Sequence, residues 1–547
     1  MTISRRKFGG RLGEEGRGAV LGLVALAAVV TAGLGVGCAE GTVTPPPNGD
    51  SSSGGEGGDK PTYGGCIPSE SAIPVANDCG VWASSSQGHD GNAGIKAGPV
   101  KSLAEAFSRA LDPDKGTGRV YACAEPFQEA VEVPPGITLY GGLDCEAEWG
   151  FVGDQRKTTI AGPPDRVAMR LLPGEAASRI EDVLVQAANG ETPGASSIAV
   201  LAHQASAELV RCELVAGDGA VGATGEHGAV PAMPGDPPPT AQAGLPGVAG
   251  TRPCLTVSGT LVLTTAGGPP VELVCDDGAT SLGGKGGDGL ANSGQSGQSG
   301  QTGDAGPGGT GAQANETTWT CTAGRGLGGD GSTGLEGTVG APAAGVGALS
   351  PELGFVGTSG VAGTVGRPGQ GGGGGGAAYG GACGILPGAH GAGGSGGTGG
   401  CGGKPGQGGG PGGASFGLVS LDARVVLTES KITAGNGGLG GQGGDGQVGG
   451  PGGVGGAGGS FSSVNPMRSG CAGGVGGKGG DGGPGGGGLG GHAAAVAFSG
   501  TPLSLDESIP LTFGAAGPGG MGGTGAGDGA QGEGGLATRV LELPLAP

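Results

Sequence analysis

The chain has 547 residues, of which 145 are glycine and 39 proline, against nine Phe, four Tyr and three Trp. Glycine and proline together reach the level, about 25 to 30 %, at which low complexity is the default reading, and scarce aromatics remove the largest side chains a core draws on. One large apolar core running the whole length is therefore excluded. The formal charge is -20, and residues 1–37 hold five basic and two acidic side chains, so the remainder carries about -23. Such a chain repels a phosphate backbone, which argues against nucleic acid as a partner.

The N-terminus reads as an address. Arg5, Arg6, Lys7, Arg11 and Arg17 precede an uncharged run from Ala19 to Gly37, which ends in Gly35-Val36-Gly37-Cys38. This is the layout of a signal peptide: a basic region, an apolar region and a small-residue cleavage site. Ser4-Arg5-Arg6-Lys7-Phe8 resembles the twin-arginine export motif, with Gly9 where that family places leucine. Cys38 after Gly37 resembles the lipoprotein box, in which the thiol becomes the acylated N-terminus; Gly35 stands where an aliphatic residue is usual. The competing reading is an uncleaved transmembrane helix, because the uncharged run is just long enough to span a bilayer. Both readings put the body outside the cytoplasm. Residues 38–62, with Pro45-Pro46-Pro47 and Ser51-Ser52-Ser53, form a solvated tether. Ala39 rather than Asp after the cysteine implies, by resemblance to lipoprotein sorting, the outer membrane or cell surface as destination.

Residues 63–218 have ordinary complexity. Ser102-Leu103-Ala104-Glu105 has capping-box spacing, which predicts a cap helix through Leu111 that Asp112-Pro113 ends. Short β-branched runs follow at 119–122, 130–133, 137–140, 158–161 and 167–172, the pattern of an all-β fold. The segment from Ile180 to Gly190 aligns without gaps with Leu209 to Gly219 and again with Leu427 to Gly437, and a looser copy runs from Val496 through Leu505 to Gly517. Such a unit cannot hide its apolar face alone, whereas stacked copies share one core. Together with Tyr140-Gly141-Gly142-Leu143-Asp144, these repeats resemble the right-handed parallel β-helix proteins of the pectin-lyase-like class. The resemblance implies a solenoid with an N-terminal cap helix and glycine-rich insertions.

The organisation expected is 63–218 cap and β-helix rungs, 219–415 glycine-rich insertion with short strands near 254–275, 416–436 rung, 437–491 glycine-triplet insertion, 492–516 rung, and 517–547 a glycine-rich loop and C-terminal strand. From Gly437 the triplets run Gly-Gly-Leu, Gly-Gly-Gln, Gly-Gly-Asp, a period of three that suits threefold extended helices. Missing side chains would let such backbones exchange amide hydrogen bonds as a polyglycine II-like bundle; the entropy glycine loses on ordering favours disordered loops instead. The array also resembles the PGRS class of repeats, without the N-terminal module usual there.

Chemistry is sparse. Gly393-Gly394-Ser395-Gly396-Gly397 fits the nucleophile-elbow pattern without a preceding strand, and Gly402-Gly403-Lys404-Pro405 lacks the hydroxyl residue of a phosphate loop. His89, His203, His227, His390 and His492 never share ligand spacing, so no metal is assigned. Gly283 to Ala291 meets the nonapeptide of calcium-binding β-rolls, but the Gly-Gly-Asp-Gly copies at Asp330, Asp445 and Asp481 stand apart, so calcium is at most a weak cofactor and none is assigned. Glu181-Asp182 and Asp276-Asp277 are neighbouring acids with no base placed beside them, read as solvated turns. With Cys38 lipidated, eleven cysteines remain, and short loops suggest Cys66 with Cys79, Cys123 with Cys145, Cys254 with Cys275 and Cys383 with Cys401, one thiol being left over. Twin-arginine export moves folded chains, so these bridges would close after folding.

The function expected is a non-catalytic structural or adhesive cell-surface lipoprotein, not an enzyme, held to the membrane by its N-terminal lipid and meeting envelope polysaccharide or other surface proteins. The alternatives are a carbohydrate-active, lyase-like β-helix enzyme, which needs acids and an Arg or Lys base converging on one face, and an ice- or interface-binding polyglycine slab.

Overall fold

A computed structural model describes residues 65–547 apart from 72, 229–240, 243–255, 258–259, 262–263, 291–292, 302–305, 312–318, 380, 384–385, 389 and 461–468. The export motif at Arg5 and Arg6, the lipidation site Cys38 and the tether lie outside the described residues. Among the described residues no helix is long and apolar enough to cross a membrane.

The predicted helix spans Leu103–Ala110. Ser102 Oγ accepts the Glu105 amide at 3.2 Å, but the return arm of the capping box is absent. The Glu105 carboxylate pairs with Arg109 at 2.7 Å, and the Ser102 amide donates to Asp90 at 2.9 Å instead. The apolar face, Leu103, Ala106, Phe107 and Ala110, is fully buried against the first strands.

The rest is β-structure, dominated by three sheets of seven, six and six strands, parallel except for Gly150–Phe151, which pairs antiparallel with Thr138–Asp144 in the first. The short runs read from the sequence are strands Arg119–Cys123, Val131–Val133, Thr138–Asp144, Thr158–Gly162 and Met169–Leu171. The chain visits the sheets in turn. Ser178–Glu181 lies in the first sheet, Val183–Ala187 in the second and Ser197–His203 in the third, and the next strands join them in the same order. The internal repeat is this order seen in sequence: Leu209 pairs with both Ile180 and Leu427, Glu213 with both Leu184 and Lys431, and Ile198 with Phe416. Inward positions interlock in one cluster that includes Ile180, Leu209, Leu427, Leu214, Ile432, Val200, Leu418 and Val496. In the fourth, looser copy, Val496 pairs with Leu418, while Leu505 lies outside the strands and packs against the same cluster.

Two features hold neighbouring copies in register. Asn189, Asp218 and Asn436 form a ladder, each side-chain oxygen accepting an amide of the following copy: Asp218 N to Asn189 at 2.8 Å, Asn436 N to Asp218 at 2.6 Å and Ala515 N to Asn436 at 2.9 Å. At the corner between the first two sheets, one residue turns the chain in the left-handed region, Asp182 (φ +56°), Arg211 (+51°) and Glu429 (+50°). Non-glycine residues seldom adopt this conformation.

The glycines serve elsewhere. Every third amide of the tract 437–459 donates to one neighbour: Gly438 to Gly413, Gly441 to Gly410, Gly444 to Gln407 and so on to Gly459 with Ala392, an antiparallel partner. The preceding glycine of each triplet bonds a different tract, with Gly437, Gly440 and Gly443 donating to Ala515, Pro518 and Met521. The third carries the side chain, and its carbonyl accepts from Gly222, Gly225 and Gly228. The tract 470–491 is bonded likewise to 435–459, 357–378, 390–413, 326–343 and 514–523. Side chains are excluded by contact: a Cβ on Gly393 would lie 1.8 Å from the Gly375 carbonyl oxygen. Tracts hemmed in on all sides drop even the third side chain, as in the fully buried run Gly371–Gly376. Among the described residues, the tracts from 219 onward are thus ordered by these hydrogen bonds rather than disordered loops. Within the first excursion, Thr256–Val257 pairs antiparallel with Thr260–Leu261, and Val271–Val274 with Thr280–Gly283.

Candidate functional site

The densest charge lies at the corner just described. Arg211 donates through Nε to Asp182 Oδ1 at 3.0 Å and through Nη2 to Asp182 Oδ2 at 2.7 Å and Glu181 Oε2 at 2.8 Å. Arg179 bonds Glu181 and Glu208, and Lys157 Nζ stands 3.8 Å from Asp182. The reading of Glu181-Asp182 as a solvated pair without a base is therefore corrected. The two acids are only 1 % and 2 % exposed; Arg179 stands two residues before Glu181 in the same strand, whereas Arg211, from the corner of the next copy, and Lys157, just before strand Thr158–Gly162, are distant in sequence. Hydrogen bonding to Asp182 outweighs burial and holds the Arg211 guanidinium above its ordinary range. An arginine so committed is a counter-ion and a poor proton acceptor. A cleft of about 530 Å³ opens alongside, lined by Asp154, Lys157, Glu213, Glu429 and Lys431, in which Lys431 pairs with Glu213 at 2.9 Å.

A larger cleft, about 990 Å³, lies between the helix, the outer face of the third sheet and the hairpin Ala348–Ser350/Gly354–Val356. Val167, Ile198 and Phe355 form its apolar floor, with Glu132, Asp165, Arg166 and Glu352 at the rim. Arg170 ties the hairpin down by donating to the Pro351 and Glu352 carbonyls, both at 2.6 Å.

The aspartates singled out in the sequence of the glycine tracts are bonded within the protein. Asp288 accepts the Gly267 amide at 2.7 Å and Lys285 Nζ at 2.7 Å. Asp481 does the same with Gly449 at 2.8 Å and Lys478 at 2.7 Å. Burial would raise both carboxyls, but the lysine and the amide outweigh it and hold them below the usual range. Asp330 and Asp445 accept the Val475 and Thr524 amides. Asp276 pairs with Lys404 at 3.3 Å, and Asp277 accepts the Ala279 amide. Ser395 is buried inside a tract, its carbonyl accepting from Gly456 at 2.7 Å, which is no exposed elbow. His492 is buried and held by Val346 O and the Leu536 amide, and His227 Nδ1 accepts the Asp445 amide.

Cys66 is joined to Cys79 and Cys123 to Cys145. The pairings of Cys254 with Cys275 and of Cys383 with Cys401 are corrected: Cys275 is joined to Cys401, 126 residues away, and Cys321 to Cys471 over 150 residues. Short-loop reasoning failed because bundled tracts bring distant residues side by side. Cys254 lies outside the described residues, Cys383 in strand Gly381–Cys383. Cys212 is a free, buried thiol, pushed up to about 12 by burial. Among the described residues, Cys123, Glu125 and Cys145 are the one group of three acidic, thiol or imidazole side chains close enough to share an ion.

No family model, curated protein or solved structure matches this chain. The resemblance to pectin-lyase-like lipoproteins and to PGRS repeats is corrected accordingly: the parallel strands belong to three separate sheets, and the turn and spacing motifs that carried the resemblance are too generic to define a family.

Proposed function

We propose that the three parallel sheets are the faces of one solenoid and that the glycine tracts are polyglycine II-like helices built out from one of its corners, making a non-catalytic structural or adhesive protein of the cell exterior. The observation that carries this is where the tracts begin and end. Each excursion leaves after a strand of the second sheet, at Glu213–Val215, Lys431–Thr433 or Leu511–Thr512. Each returns to a strand of the third, at Ser415–Leu421, Ala493–Ser499 or Ala537–Glu542. At about 3.1 Å per residue, a tract the length of 435–459 reaches on the order of 75 Å, so the bundle is a long arm stiffened by backbone hydrogen bonds. Its third positions present Leu439, Val448 and Val454 to solvent, a surface for weak, repeated contacts with envelope polysaccharide or neighbouring proteins. The N-terminal segment, through Cys38, is the attachment.

The test combines localisation and binding. Protease shaving of intact cells is expected to release bundle peptides, Cys38→Ala to shed the protein into the medium, and the purified chain to be retained saturably by isolated envelopes without releasing sugar fragments. A protein that stays in the cytoplasm, or that depolymerises envelope polysaccharide, overturns the reading. The second outcome is the lyase-like alternative, favoured by one observation, the meeting of Glu181 and Asp182 with Arg211 and Lys157. It predicts an activity that Arg211→Lys abolishes without unfolding the chain.

A further inference from the structure

The strands Arg119–Cys123 and Thr138–Asp144 pair in parallel, and the register slips between Tyr121 and Cys123, where a bulge sets Cys123 against Leu143. Cys145 follows two residues later. Glu125, just beyond the end of the first strand, turns back toward both sulfurs, so that one carboxylate oxygen and the two Sγ atoms all lie within 4.8 Å of one another. Four-coordinate zinc holds sulfur at about 2.3 Å and carboxylate oxygen at about 2.0 to 2.2 Å, which puts neighbouring ligand atoms roughly 3.5 to 3.8 Å apart. In the structure the two sulfurs are joined as a disulfide beside the carboxylate; once reduced, rotations about the two cysteine Cα–Cβ bonds bring the three groups to that spacing.

The carboxylate is also oriented as a ligand's would be. Ser84 Oγ donates to Glu125 Oε1 at 2.8 Å, Ser86 Oγ to Oε2 at 2.5 Å and the Ser86 amide to Oε1 at 3.3 Å. These bonds fix the group, favour its anionic form and leave lone pairs free. Cys123 is buried while Glu125 and Cys145 are half-buried, so an ion can enter from the Cys145 side and a water can complete the tetrahedron.

We propose that, while its thiols are reduced, the chain binds one Zn2+ through Cys123, Cys145 and Glu125, and that the Cys123–Cys145 disulfide replaces this clamp once the protein meets an oxidant. On binding, the ion displaces the two thiol protons. On oxidation, a disulfide-bearing oxidant takes the two electrons, the two thiolates become the disulfide, the oxidant leaves as its dithiol and zinc is released. The inference rests on the export reading in one respect, the passage from a reducing to an oxidising compartment. It gives a chain that must fold before export a way to hold strands Arg119–Cys123 and Thr138–Asp144 together before its bridges exist.

The test uses the purified full chain and is independent of localisation. Kept in a phosphine reductant, it is expected to retain about one zinc per chain after gel filtration, and close to none once oxidised by a disulfide. Cobalt in place of zinc should give the sulfur-to-metal absorption of a tetrahedral thiolate site. Glu125→Gln should weaken zinc by about tenfold or more, Cys123→Ser should abolish retention, and Cys66→Ser with Cys79→Ser should leave it unchanged. Reduced, folded wild type that holds no zinc overturns the proposal, as does zinc retention that survives Cys123→Ser. Should Cys123→Ser fail to fold, the cobalt spectrum and the Glu125→Gln affinity decide.

Discussion

Replacing Gly393 by alanine tests whether the bundle is held by backbone contact. The new Cβ would lie 1.8 Å from the Gly375 carbonyl oxygen and 2.9 Å from the Gly287 nitrogen, both backbone atoms that no side-chain rotation can move aside. Relief requires the tracts 390–413 and 357–378 to part by roughly 1.5 Å before an ordinary contact is restored. That separation breaks the row joining them, Gly375 N to Gly394 O at 2.8 Å and Gly372 N to Gly397 O at 2.9 Å. Each lost bond costs about 1 kcal/mol, and each buried amide left unpaired a further 1 to 3 kcal/mol, so breaking the two should cost roughly 4 to 8 kcal/mol of local stability. Gly529, where an added Cβ would meet nothing within 4 Å, is the control, and Gly529→Ala should stay within about 0.5 kcal/mol. Amide hydrogen exchange followed by mass spectrometry reads both, on peptides from 371–378 and 391–399. Gly393→Ala with wild-type protection in those peptides would refute the argument.

Cys275→Ser with Cys401→Ser should lower stability by about 2 to 5 kcal/mol, read by denaturant unfolding, because the bridge closes 126 residues of glycine-rich chain. Arg211→Ala leaves Glu181 and Asp182 buried beside one lysine and one arginine, and should cost about 3 to 5 kcal/mol in thermal or chemical unfolding. Burial holds the His492 imidazole below its ordinary value of 6.5. As pH falls below 6.5 the unfolded chain takes up a proton that the folded chain refuses, so stability should decline from there toward the lower folded value. His492→Gln should flatten that part of the stability-against-pH curve.

Much of the fold was legible. The strands at 119–123, 158–162 and 169–171 stood out because short β-branched runs between turn residues have few other structures open to them. The copies at Ile180, Leu209 and Leu427 stood out because neighbouring strands of a parallel sheet need the same inward residues in the same phase. The corner residues were hidden. In a chain with 145 glycines, the left-handed positions fall on Asp182, Arg211 and Glu429, where stacking and ion pairing rather than local preference fix the backbone. The charged cluster was half visible, with its acids and Arg179 within four residues, while Arg211 and Lys157 are brought in from 24 or more residues away by the stacking of the copies. The pairing of Cys123 with Cys145 was legible, whereas Glu125 beside it was missed, because its position depends on Ser84 and Ser86 from a segment about 40 residues earlier.

Taken alone, the sequence determined what each segment could be: β-branched runs able to pair, a capped helix able to bury one face, and glycine triplets whose period of three allowed bonding on three sides. These follow from local sterics and the apolar pattern, which act within a few residues. Tertiary structure decided between order and disorder for the glycine tracts, because each needs neighbours on several sides before its amides are satisfied, and those neighbours lie tens to hundreds of residues away. It likewise chose the partners of Cys275 and Cys321 and the counter-ions of Glu181 and Asp182, since pairing across a bundle or a sheet depends on which backbones come to lie side by side.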